Sequence, residues 1–175
     1  MRDMDIAVLL HNVRSTHNVG SILRTADAVG VSHVYLTGYT PTPVDRFGRA
    51  RKDIAKTALG AECSVPWTYQ KSANSCIASL RKEGWRIVGV EQDLHATDYR
   101  TMKKQYKVLF VFGNEVRGLS KELRALCDEL VEIPMRGKLL RDAAHPHHGG
   151  GGKESLNIAV AAGIVLFETA RPHSK

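Results

Sequence analysis

Apolar residues along the chain fall into two kinds of run. Ile6-Ala7-Val8-Leu9-Leu10 and Val108-Leu109-Phe110-Val111-Phe112 are short and unbroken, as in strands buried on both faces. Residues 34–36, 65–69, 86–90 and 130–133 predict further strands, the last ending at Pro134. Helical spacing lies between them. Ile22, Leu23, Ala26 and Val29 share one face of a helix that Asn18 can cap and Gly30 can end. Residues 54–59, 72–83 and 121–127 read as helices as well. Strands alternating with helices predict an α/β fold, a mostly parallel sheet flanked by helices. Ligands in such folds bind beyond the C-terminal ends of the strands, so the loops after Leu10, Leu36, Phe112 and Met135 are the places to look.

Three segments break this rhythm. Residues 39–47 contain Pro41 and Pro43 and read as a loop, which runs into a basic cluster of Arg46, Arg49, Arg51 and Lys52. Residues 139–152 end in four consecutive glycines and read as an atypical Gly/His-rich insertion. His145, His147 and His148 within it match no zinc spacing, and no metal is expected. The last helix, residues 155–169, is apolar on nearly every side, from Leu156 and Ile158 to Leu166 and Phe167. Such a helix needs cover all round, and a second subunit is one way to provide it.

Composition narrows the function classes. At 175 residues, 43% hydrophobic and 25% charged, residues 1–175 fit a single globular domain. No apolar run approaches the ~20 residues of a membrane helix, and the acidic N-terminus does not resemble a targeting signal, so a cytoplasmic protein without membrane contact is expected. Cys63, Cys76 and Cys127 are odd in number and far apart, as thiols in a reducing compartment. The net charge of +7 suits a polyanionic partner.

Three polar blocks sit just past predicted strands. The first joins Asn12-Val13-Arg14 to Asn18-Val19-Gly20-Ser21-Ile22-Leu23-Arg24. The second is Gly113-Asn114-Glu115-Val116-Arg117-Gly118-Leu119. The third is Ile133-Pro134-Met135-Arg136-Gly137, followed beyond the insertion by Ser155-Leu156-Asn157. None is a phosphate-cradling P-loop, a dinucleotide-binding glycine turn or a nucleophile elbow.

In order and spacing, these blocks resemble motifs 1, 2 and 3 of the SpoU/TrmH family of the SPOUT superfamily, over about residues 6–170. The resemblance implies a SPOUT-type sheet with a C-terminal deep trefoil knot, although general folding rules make knots rare. It implies a homodimer and an enzyme that methylates a ribose 2′-hydroxyl in tRNA or rRNA with S-adenosylmethionine, and it implies no DNA substrate. By position, Gly113, Asn114, Ile133, Met135 and Leu156 would hold the cofactor, with Thr37 and Gly38 near its adenosine. Arg24, Asn18, Glu115, Ser155 and Asn157 would form the catalytic group. Arg14, Arg46, Arg49, Arg51, Lys52 and Arg117 would contact RNA; the chain starts at the first strand, without the N-terminal RNA-binding domain of many relatives.

Methyl transfer is an in-line displacement that needs alignment and a stabilised or deprotonated oxygen, not a covalent intermediate. A guanidinium is almost never deprotonated, which favours Arg24 as an electrostatic stabiliser over a base. Glu115 could orient Arg24 or accept the proton. Ser155 and Asn18 can each cap a helix and still serve the site. The alternative reading is a non-catalytic RNA-binding or engineered knotted domain, in which the insertion inside motif 3 impairs the cofactor site.

Overall fold

Strand β1 (Asp5–His11) and strand β6 (Lys107–Phe112) lie side by side at the centre of the sheet, and the alternation of their side chains builds the core. Ile6, Val8, Leu10, Val108, Phe110 and Phe112 face one layer of helices, while Ala7, Leu9, Leu109 and Val111 face the other. Both faces are therefore covered, as a parallel sheet requires. The computed structural model describes residues 4–103, 105–136 and 155–171.

The remaining strands are β2 (His33–Thr37), β3 (Trp67–Gln70), β4 (Arg86–Val90), β5 (Thr97–Asp98) and β7 (Glu129–Glu132). The sheet order is β3-β2-β1-β6-β4-β7-β5, and every described pairing is parallel. One face packs helices α1 (Thr16–Val29), α2 (Lys52–Ala58), α3 (Ala61–Ser64) and the last helix, α6 (Ile158–Ala170). The other packs α4 (Ala73–Lys82) and α5 (Lys121–Ala125).

The predicted elements are present, and the differences concern their ends. Helix α1 is capped by Ser15, whose hydroxyl accepts from the Asn18 N–H at 3.2 Å, so Asn18 is not the cap. Its C-terminal end is the expected Gly30, at φ 79°. Helix α6 is capped by Asn157, not Ser155: the Asn157 side chain accepts from the N–H groups of Ala159 and Val160. Two short elements, α3 and β5, lie in stretches where the apolar pattern predicts none.

Helix α1 approaches α2 closely enough that a Cβ on Gly20 would collide with Thr57 Oγ1 and the Ile54 carbonyl. That contact explains the glycine in the first block. Helix α6 buries Ala162, Val165, Leu166 and Thr169, but leaves Val160 and Phe167 exposed, at 50% and 56%. The expectation of an all-round apolar helix thus resolves into a buried face and an uncovered one. Gly137, the 139–152 insertion with its three histidines, and the chain path that would form a knot lie outside the described residues.

Candidate active site

The loop after β1 is a hub of backbone donors. Asn12 adopts φ 58°, a left-handed conformation that asparagine tolerates better than most residues. Its side-chain oxygen accepts from the Tyr39 N–H at 3.1 Å. The Val13 N–H donates to Thr40 Oγ1, and the Arg14 and Ser15 N–H groups donate to the Glu115 carboxylate at 3.0–3.1 Å. The second block, at the end of β6, is thereby fastened to the first.

This second block is a tight loop closed by paired Asn114 and Gly118 backbones. Asn114 Oδ1 accepts from the Val116 and Arg117 N–H groups at 2.9 Å. Its Nδ2 donates outward to the Asn12 carbonyl and to Tyr39 Oη, at 2.9 and 3.0 Å. Gly118 has φ 64°, and a Cβ there would strike the Glu91 carboxylate, which itself accepts from the Leu119 N–H at 2.6 Å. A Cβ on Gly113 would strike the Gly118 backbone. Both glycines are required by close approach.

Glu115 Oε1 also accepts from Asn18 Nδ2 at 3.0 Å, and Asn18 Oδ1 accepts from Asn157 Nδ2 at 3.1 Å. A polar relay thus runs from motif 2 through α1 to the cap of α6. Burial alone would raise the Glu115 carboxyl, but N–H donors, chiefly from Arg14 and Ser15, outweigh it and hold the group below the ordinary glutamate value. Its oxygens are filled by donors, and none of them comes from Arg24. The expectation that Glu115 orients Arg24 is therefore not met.

Past the ends of β4, β6 and β7 lies a cavity of about 540 Å³. It brings together most of the expected site: Gly113, Asn114, Ile133, Met135 and Leu156 from the cofactor set, and Asn18, Glu115, Ser155 and Asn157 from the catalytic set. Arg117 also lines it. Its walls alternate apolar groups such as Val90, Ile133 and Leu156 with three carboxylates, Glu91, Glu115 and Glu132. Glu91, Gln92 and Glu132 were missed from the sequence. Their signal is position, since Glu91 and Gln92 directly follow β4 at the ligand-binding edge of a parallel sheet.

Other expected residues lie elsewhere. Thr37 is fully buried, outside both cavity linings, and donates to the Leu10 carbonyl at 3.3 Å. Gly38 lines a second cavity, about 800 Å³, with Arg46, Arg49 and Arg51. Arg49 pairs with Asp45 at 2.8 Å and Arg51 with Asp53 at 3.1 Å, so the basic cluster is partly neutralised. Lys52 opens α2 and is exposed, as is Arg14 beside the first cavity. Arg24 is exposed on α1, outside both cavity linings, and makes no hydrogen bond or ion pair among the described residues. Among those residues no group of three or more His, Cys, Asp or Glu could hold a metal ion, and no helix is long and apolar enough to cross a membrane.

Residues 5–140 match the model of the SpoU rRNA Methylase family. The chain is 33% identical over 172 residues to the Escherichia coli (strain K12) 23S rRNA (guanosine-2′-O-)-methyltransferase RlmB, covering 98% of this chain and 62% of that protein. The AdoMet-bound rRNA methyltransferase from Sinorhizobium meliloti superposes with a TM-score of 0.78 at 30% identity, covering 95% of this chain and 56% of that one. The SpoU methyltransferase AviRb from Streptomyces viridochromogenes, in complex with AdoMet, gives 0.78 at 26% identity, with 97% and 61% covered. The chain spans about three fifths of the length of the curated relatives it matches. With the family match running through the first two blocks and into the third, and the same α/β sheet in the solved relatives, the chain belongs to the SpoU rRNA methylase family.

Proposed function

We propose that this chain is an S-adenosylmethionine-dependent methyltransferase acting on a ribose 2′-hydroxyl of rRNA or tRNA. One observation carries the reading: the cavity past β4, β6 and β7 gathers residues of all three sequence blocks. Its volume of about 540 Å³ falls within the ~300–1,000 Å³ of small-molecule sites. Its donor set also fits. Apolar walls suit an adenine ring, and among the described residues three carboxylates against one arginine suit a cationic sulfonium better than a polyphosphate. Bound there, S-adenosylmethionine supplies an electrophilic methyl group.

The protein's own residues supply position and charge. Glu115 stays ionised and fixes the motif 1 loop through its N–H donors; it is not the base. The Asn18–Asn157 bond ties α1 to the entrance of α6, which sets where Leu156 and Ser155 meet the cavity. Ser155 makes no hydrogen bond among the described residues, which leaves its hydroxyl for substrate or cofactor. Arg24 acts as a cation that stabilises the developing alkoxide, whose proton passes to solvent water as the C–O bond forms and the methyl–sulfur bond breaks to leave the neutral thioether.

Arg24 lies outside its own chain's cavity, and the exposed face of α6 is apolar. In this reading two copies pair over α6 as a homodimer, the commonest symmetric assembly, and Arg24 serves the partner copy's cavity. The chain forms one methyltransferase domain over residues 1–175, threads a deep trefoil knot, carries 139–152 as an insertion within motif 3, and works in the cytoplasm on RNA, not DNA. Arg14, Lys52 and Arg117, exposed and near the cavities, take phosphates.

The test is calorimetric titration of S-adenosylmethionine and its demethylated product, followed by methyl transfer to 23S rRNA and tRNA with and without the target 2′-hydroxyl. Micromolar binding, transfer that requires the hydroxyl, and cofactor binding that survives deletion of 139–152 are expected. Failure of the intact chain to bind the cofactor would overturn the reading.

A further inference from the structure

The second cavity has a chemistry that methyl transfer does not use. Phe47 stands 66% exposed at the tip of the loop between β2 and α2, where an apolar ring gains nothing from burial. It is not left loose. Asp45 Oδ1 accepts from the Phe47 and Arg49 N–H groups at 2.8 and 3.0 Å, and the Val44 and Ala50 backbones pair across the base of the loop. The turn therefore holds the backbone that carries the ring. The guanidinium carbons of Arg46 and Arg49 lie 4.8 and 5.0 Å from its centroid. Tyr39 and Tyr69, both exposed, share the cavity, and the Tyr69 hydroxyl donates to the Gly38 carbonyl at 2.8 Å.

This groove adjoins the candidate active site. Tyr39, one of its walls, accepts through Oη from Asn114, which lines the first cavity. Aromatic rings interleaved with guanidiniums stack nucleobases of any identity, and such stacking needs a base whose faces are free. A duplex hides those faces; a loop or single strand does not.

We propose that the groove formed by Tyr39, Phe47, Tyr69 and the Arg46 and Arg49 guanidiniums is a stacking subsite for an unpaired nucleobase of the RNA, beside the ribose that reacts. The inference rests on the RNA reading above and narrows it: the substrate is presented as a loop or single strand.

The test uses the full chain at low salt and reads fluorescence anisotropy of a labelled ten-nucleotide adenosine-rich RNA and of an RNA duplex of the same length. Phe47→Leu is expected to weaken single-strand binding about tenfold and Phe47→Trp to restore it. Duplex binding, S-adenosylmethionine affinity and Tm should hold in both variants, because Phe47 packs in no core. Equal losses on both RNAs, or Phe47→Leu and Phe47→Trp alike, would mean charge alone and overturn the subsite, as would unchanged single-strand binding. A wild-type chain that binds only duplex overturns the subsite but keeps the RNA reading; one that binds neither RNA overturns both.

Discussion

Glu115 fastens the loop after β1 to the loop after β6 through its carboxylate. Its oxygens face N–H donors from Arg14, Ser15 and Asn18, so Glu115→Gln turns an amide donor toward some of them. Turnover should fall roughly 10–100-fold with the shape of the pH–rate profile retained; a lost limb would identify Glu115 as the proton acceptor. Stability follows the same group. Its folded pKa lies below the ordinary value of 4.5, so its stabilisation is present above that value and lost as pH falls through the folded one. The Tm gap between wild type and Glu115→Gln is therefore expected to be full at neutral pH and to close under acid. The cysteines offer a simpler check. Burial pushes the Cys76 and Cys127 thiols up to about 11, while Cys63 is exposed. Iodoacetamide at pH 8 should modify Cys63 well before the other two, read by mass spectrometry. At this scale the sequence indicated which residues gather at the first cavity better than how they bond there. Asn18 and Ser155 both look like caps, but only tertiary contact shows that Ser15 caps α1 and frees Asn18 for Glu115, while Asn157 caps α6 and reaches Asn18 at once.

Helix α6 separates these two tasks of Asn157. Asn157→Ala should cost about 1 kcal/mol through the lost cap, measured by urea unfolding. Asn157→Asp keeps the acceptor for Ala159 and Val160 but loses the donor to Asn18, so it should hold stability and still lower methyl transfer. Gly20→Ala should destabilise by about 1–3 kcal/mol, because the added methyl meets the Ile54 backbone as well as the movable Thr57 hydroxyl. The long elements were legible because buried strands and amphipathic helices write their period into the sequence. Strand β5 was not: two residues, Thr97 and Asp98, carry no period, and only their pairing with β7 defines them. Thr37, which lies outside both cavity linings, is ambiguous for a related reason. A threonine at a strand end reads the same whether its hydroxyl meets a ligand or, as here, the Leu10 carbonyl.

The whole molecule leaves Phe167 and Val160 exposed on α6 and Arg24 outside its own cavity. Phe167→Asp is expected to convert a dimer to a monomer in sedimentation velocity and to abolish transfer while the fold persists. Mixing Arg24→Ala chains with Leu156→Glu chains should recover part of the activity that each lacks alone, since one subunit then keeps an intact cavity facing an intact arginine. No recovery would place Arg24 and the cavity in the same chain. Sequence pattern could give an α/β class, but not which strands adjoin, and it is adjacency that brings the loops after β1, β4, β6 and β7 to one place.

That adjacency also governs when the chain can fold. Strand β1 emerges first and pairs on one side with β2, but its other neighbour is β6, and β4 touches nothing in the sheet except β6 and β7. A nascent chain that has made β1 through β4 holds two strand groups with a gap where their shared partner belongs. Order must wait for Lys107–Phe112 to be synthesised and inserted between them. Folding is therefore expected to be late and slow, as for any topology dominated by distant pairings. Until β6 arrives, the apolar edges of β1 and β4 are exposed, and chaperone contact should be concentrated in that interval of translation.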